Sequence, residues 1–177
     1  GTLPRRASGE LDKKQIEKLQ SSKKDQAENV MIVDLLRNDV SQNAIQVKTP
    51  ALFKVETFKT VHHLVSTVTA DLPKPINPLK LFFDAFPGGS ITGAPKKRAM
   101  EIINELESKP REFYCGSAFY FSANGKFNSN ILIRSFMFQE GKVRCWSGGG
   151  IIDDSRWELE LQESLDKISK LMSCLNS

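Results

Sequence analysis

GSAFYFSANGKFNSNILIRSFMFQEGKVRCWS, residues 116–147, decides the fold class. Gly116 to Ala123 and Lys126 to Gln139 are rich in aromatic and aliphatic residues and flank Asn124-Gly125, a dipeptide that tolerates the positive φ angles of a tight hairpin turn. Gly141 supplies a second turn before Lys142 to Ser147, so the stretch predicts a three-stranded antiparallel meander. Upstream, Ala44 to Thr69 is rich in Val, Thr, Phe and Ile with a break at Thr49-Pro50, and predicts two or three more strands.

Helical patterns surround these strands. From Gly9 to Asp39 the apolar positions Ile16, Leu19, Val30, Val33 and Leu36 are interrupted by polar residues near Ser21-Ser22, which predicts two helices or one broken helix. Pro73, Pro75 and Pro78 mark a loop before a helix over Leu79 to Phe86. Another is expected to start near Pro95, capped by Thr92 or Gly93, with Ala99, Ile102, Ile103 and Leu106 on its buried face. A last helix runs from about Ser155 to Leu175, with Asp153, Asp154 and Ser155 as available caps and Ile168, Leu171 and Leu175 on one stripe. Antiparallel sheets flanked by helices, without an internal repeat, make an α+β unit.

The chain's 177 residues, 40% hydrophobic and 26% charged, fit one ordinary globular domain. Apolar runs such as Met31-Ile32-Val33 and Ile131-Leu132-Ile133 are far too short to span a bilayer, so no membrane partner is expected. The opening Gly1-Thr2-Leu3-Pro4-Arg5-Arg6 lacks an initiator methionine and a secretory pattern, and reads as the start of a cut piece. Cys115, Cys145 and Cys174 match neither a zinc spacing nor a disulfide framework, and reduced thiols imply a cytoplasmic location. The net charge of +4 is dispersed, with Lys23-Lys24 and Lys96-Lys97-Arg98 interleaved with acids, which speaks against nucleic acid. A small anionic substrate accounts for the same excess.

Several residues carry chemistry. Arg134 lies inside the apolar run Asn130 to Phe136, where a guanidinium demands an anionic partner, either a ligand carboxylate or a structural acid. Gly148-Gly149-Gly150 follows the last strand and leaves its amides open to an anion, or simply makes a tight turn. Glu160 and Glu163, with Lys167 four residues on, share a helix face, and Asp25 and Glu28 repeat the three-residue spacing. Two carboxylate pairs suit a hard divalent cation, magnesium above all, although solvated charge pairs are the commoner use of such spacing. The run Phe86 to Lys96 invites comparison with a phosphate-binding loop and fails it, because Ala94-Pro95 separates Gly93 from Lys96 and no hydroxyl residue follows. Of His62 and His63, adjacent on a strand, only one can face a given site.

Taken together, Glu28 to Asp39, Pro87 to Lys96 with Arg98 to Ile103, and Gly148 to Ile151 closely resemble the chorismate-binding enzymes, and Gly1-Thr2 resembles the end of their Pro-Ile-x-Gly-Thr motif. The resemblance implies helix-wrapped antiparallel sheets with residues 1–177 as the C-terminal part of a catalytic domain that binds chorismate and Mg²⁺. Carried over by motif, Glu28 and Glu163 are metal ligands, with Asp25 and Glu160 supporting the metal through water. Arg134 and Tyr114 hold a substrate carboxylate, helped by the Gly148 and Gly150 amides and Lys167. His63 and Ser90 are the candidate catalytic positions, lining the pocket against the ring or its leaving group.

The wording of Gly88 to Lys96 and of Gly1 to Arg5 resembles the branch that aminates chorismate with ammonia from a partner glutamine amidotransferase. The anthranilate-forming branch is the alternative, followed by isochorismate or salicylate synthases and by a non-catalytic remnant. Retention of all four carboxylates and Arg134 argues against a remnant. Ser41-Gln42, Ala118-Phe119, Leu161 and Ser164 depart from the family's usual residues without removing a proposed ligand.

Overall fold

Ser22 ends one helix and starts the next. A computed structural model, which describes residues 1–153 and 155–175, gives α1 over Gly9–Ser21 and α2 over Lys23–Ser41. Ser22 has extended φ/ψ, and its Oγ accepts the Asp25 amide at 3.3 Å, replacing one of the donors orphaned at a helix start. Of the two expected arrangements, two helices or one broken helix, the first is present, with Ser22 between the two.

These helices lie on a three-stranded antiparallel sheet of order β1-β3-β2, built from β1 (Thr2–Pro4), β2 (Ile45–Thr57) and β3 (Val61–Asp71). Leu19, Val33, Ala44 and Leu64 form its buried apolar core. Pro50 does not break β2, as Thr49-Pro50 had suggested. The strand runs through it because its pairing with β3 shifts register between Lys48 and Ala51, and again on either side, and an irregular edge strand tolerates a residue that cannot donate. Across the sheet Ser66 bonds α2, its Oγ donating to Asn29 Oδ1 at 2.6 Å and accepting the Phe53 amide at 3.1 Å. Pro78 opens α3 (Pro78–Ala85), with Asn77 Oδ1 accepting the Lys80 amide, and a one-turn α4 (Gly89–Thr92) follows.

By contact density the chain divides into residues 1–96 and 97–177. α5 (Lys96–Leu106) starts on the last residue of the first unit, and the second unit holds the rest of it, two hairpins and α6 (Trp157–Ser173). Thr92 does not cap α5; its hydroxyl closes α4 by donating to Gly88 O at 3.0 Å. The hairpins pair β4 (Ser117–Phe121) with β5 (Phe127–Ile131) and β6 (Phe136–Gln139) with β7 (Lys142–Cys145). Both predicted turns are present, with Gly125 at φ 82° and Glu140-Gly141 at 50° and 71°.

The three-stranded meander is corrected to two separate hairpins. The run from Phe127 to Gln139 kinks at Ile133-Arg134: the Ile133 amide turns back to Ile131 O at 3.0 Å, and Arg134 takes φ 52°. Its apolar residues read as one strand because side-chain pattern does not report backbone hand. At the C-terminal helix, Ser155 does not cap either: α6 starts after Arg156, and Asp154 falls outside the described residues. All strand pairings are antiparallel, and the α+β class stands. Among the described residues no helix is long and apolar enough to cross a membrane.

Candidate active site

Residues 1–96 bring Asp25, His63 and the β1 strand together. A Cβ on Gly1 would lie 2.9 Å from both Asp25 Cγ and Leu19 Cδ1, so glycine is what lets the chain pass so close to α2. Thr2 is the register partner of His63, and its Oγ1 lies 2.7 Å from His63 Nδ1. The Phe58 ring packs edge-on against the imidazole at 5.2 Å. Glu28, three residues along α2 from Asp25, is half-buried like it. Ser90 is exposed on α4, whose backbone is pressed onto α2: a Cβ on Gly89 would come within 3.0 Å of Leu35 Cβ.

Lys96 shows why the glycine-rich run is no phosphate loop. Its ammonium turns inward to Asp39 Oδ1 and Ala85 O, each at 2.8 Å, and Asp39 is buried. The lysine fastens the loop to α2.

His62, the other strand histidine, is fully buried in a network that pattern reading passed over. Its Nε2 lies 2.9 Å from Asp12 Oδ1 and its Nδ1 2.9 Å from Thr57 Oγ1. Asp12 also accepts the Arg6 amide at 2.8 Å and Arg5 Nε at 3.1 Å. The Arg6 amide and then His62 hold the Asp12 carboxyl down at about 2, so it is ionised at neutral pH. The available signal was a histidine beside Val61 and Leu64 in a strand, where burial demands two hydrogen-bond partners.

In the second unit Tyr114, the glycine loop and α6 converge. Lys167 Nζ donates to Gly148 O at 3.3 Å and pairs with Glu163 Oε1 at 2.8 Å. A Cβ on Gly149 would meet Glu160 Oε2 at 3.3 Å and Lys167 Nζ at 3.5 Å, and one on Gly148 would lie 3.0 Å from the Tyr114 hydroxyl. Gly150 continues this loop. Glu160 is buried, and Ser155 holds it by donating to Oε1 at 2.9 Å while accepting the Ile152 amide at 3.1 Å. That second bond was missed because Ser155 had the look of a cap. Tyr114 stacks on Trp146 with 11° between ring planes, and burial, then the neighbouring Cys115, pushes its phenol up to about 12. It stays a neutral donor.

Arg134 stands apart from its expectation. It is exposed at the kink, with no ion pair among the described residues, so the idea of a buried strand guanidinium is withdrawn. Among the described residues no three His, Cys, Asp or Glu side chains gather into one metal-binding group.

A strand glycine-threonine beside a histidine, and carboxylates tucked under a glycine loop, match the motif order of a known family. The chain belongs to the chorismate binding enzymes, whose family profile matches residues 1–173. It is 51% identical over its full length to aminodeoxychorismate synthase component 1 of Salmonella typhimurium, covering 39% of that protein. Identity to anthranilate synthase component 1 of Bacillus caldotenax is 38% over 99% of the chain and 35% of that protein. The crystal structure of anthranilate synthase component I from Streptococcus pneumoniae matches 93% of the chain at a TM-score of 0.83 and 33% identity, the match covering 40% of that chain. The sequence thus spans about two fifths of the length of these relatives.

Proposed function

We propose that residues 1–177 are the C-terminal part of the chorismate-binding catalytic domain of an aminodeoxychorismate synthase component I. The net reaction is chorismate plus ammonia to 4-amino-4-deoxychorismate plus water, with ammonia delivered by a glutamine amidotransferase partner. The observation that carries this reading is the gap between 51% identity to the Salmonella typhimurium synthase and 38% to the anthranilate-forming relative.

The donor chemistry fits Mg²⁺, because Asp25, Glu28, Glu160 and Glu163 offer only hard carboxylate oxygens, and magnesium needs few protein ligands when it keeps its waters. By the family resemblance Glu28 and Glu163 would be its direct ligands, with Asp25 and Glu160 supporting it through water. When bound, the cation supplies Lewis-acid help for departure of the C4 hydroxyl. The protein's own groups do the rest of the binding. Arg134 and Tyr114 take a substrate carboxylate, one as a planar two-pronged donor and one as a neutral phenol, beside the Gly148 and Gly150 amides. Lys167, paired with Glu163, adds positive charge under the loop. His63 and Ser90 line the ring and its leaving group, His63 with its Nδ1 side engaged by Thr2.

Thermal melting of the full-length synthase carrying this sequence tests the reading. Chorismate with Mg²⁺ raises the melting temperature of the wild type, and Glu163→Gln, which removes one formal charge from the direct ligands, loses both that shift and turnover. Wild-type protein indifferent to the pair of ligands, or a variant with normal magnesium dependence, contradicts it.

A further inference from the structure

Two adjacent histidines on β3 are bound in opposite ways, and the buried one explains the half-buried one's placement. We propose that Asp12 and Thr57, bonded to the buried His62, form a positioning relay that holds β1 in register on β3 and so seats Thr2 against His63.

The relay joins three elements. Asp12 on α1 grips the chain just after β1 through the Arg6 amide at 2.8 Å and the Arg5 guanidinium at 3.1 Å. The same carboxylate takes His62 Nε2 at 2.9 Å, and Thr57 at the end of β2 meets Nδ1 at 2.9 Å. An ionised carboxylate only accepts, so Nε2 of His62 must carry the proton. In the neutral ring Nδ1 then accepts from the Thr57 hydroxyl, which fixes one tautomer.

β1 pairs with β3 at three positions, Thr2 with His63, Leu3 with His62 and Pro4 with Val61, flanked by backbone bonds from the Leu64 amide to Gly1 O at 3.0 Å and from the Arg5 amide to Thr60 O at 2.9 Å. Pro4 has no amide to donate, so a strand this short holds its register with few backbone bonds and gains from a side-chain anchor. A slip of one residue would turn Thr2 to the other face and put Leu3 or Gly1 opposite His63. The relay opposes that slip, because Asp12 binds both the residues following β1 and the histidine across from Leu3. The Thr2 hydroxyl then meets His63 Nδ1 at 2.7 Å and fixes the ring's rotation. Asp12, His62, Thr57 and Thr2 are thus positioning residues for His63. The consequence for turnover rests on the reading of His63 as a ring-contacting residue; the seating of the imidazole does not.

The chain has only two histidines, so ring ¹⁵N spectra of the labelled 177-residue protein, assigned with His62→Gln, report each one separately. His62 is expected as the Nε2–H tautomer. Thr2→Val moves the His63 Nδ1 signal and leaves His62 in place, whereas Asp12→Asn and Thr57→Val move both histidines, with Thr57→Ser restoring both. Thr57→Val deletes only a hydroxyl, and it decides the matter if Asp12→Asn fails to fold. In the full-length synthase Thr57→Val lowers kcat for chorismate about tenfold or more with KM little changed, the signature of a misplaced group. A His62 ring protonated on Nδ1 alone, or His63 signals unmoved by both relay variants, overturns the relay. Unmoved kinetics with moved spectra would leave the relay standing and remove His63 from the reaction.

Discussion

Lys96 Nζ sits 2.8 Å from Asp39 Oδ1, an acid buried at the end of α2, and this pair locks the glycine-rich loop that carries Ser90. Removing one partner leaves the other charge without its counter-ion, which costs far more than the intact pair contributes. Lys96→Met is expected to destabilise the protein by on the order of 3 kcal/mol. Replacing both, as Lys96→Met with Asp39→Leu, should recover part of that loss. Urea denaturation with an unchanged slope measures it; a Lys96→Met midpoint equal to wild type would mean the pair is solvated.

Acid stability should depend on Asp12. Its folded pKa, held down at about 2, lies below the ordinary aspartate value near 3.9. The stabilisation is therefore complete above about pH 4 and is lost as pH falls toward 2, when the carboxyl protonates and releases its donors. Melting curves between about pH 5 and pH 2 should fall steeply for wild type and less steeply for Asp12→Asn. Parallel curves would place the acid sensitivity elsewhere.

Arg134→Lys should spare the fold and weaken substrate binding. Arg134 is exposed without an ion pair among the described residues, so its replacement removes no packing. A lysine cannot give two parallel bonds to a carboxylate, and losing one charge-assisted bond raises KM for chorismate about tenfold. A lowered melting temperature with KM intact would instead make Arg134 a structural residue.

Local signals were legible where chemistry is local. The break near Ser21-Ser22, the Asn124-Gly125 turn and the turn at Gly141 follow from backbone preferences of single residues, and each stands where it was expected. The kink at Ile133-Arg134 was not legible, since an apolar run looks the same whichever way its backbone bends. Long-range polar pairs were invisible for another reason. Asp12 and His62 are separated by 50 positions, and Asp12 sits beside Lys13 and Lys14 like any solvated helix charge. Glu160, Glu163 and Lys167 could be placed on one helix face by spacing, but the loop that covers them could not.

Product analysis tests the central claim most directly. The full-length synthase carrying this sequence, given chorismate, Mg²⁺ and an ammonium salt, should form 4-amino-4-deoxychorismate as the product resolved by chromatography. Anthranilate or isochorismate as the product would contradict the assignment, as would a folded, magnesium-loaded protein that leaves chorismate unchanged.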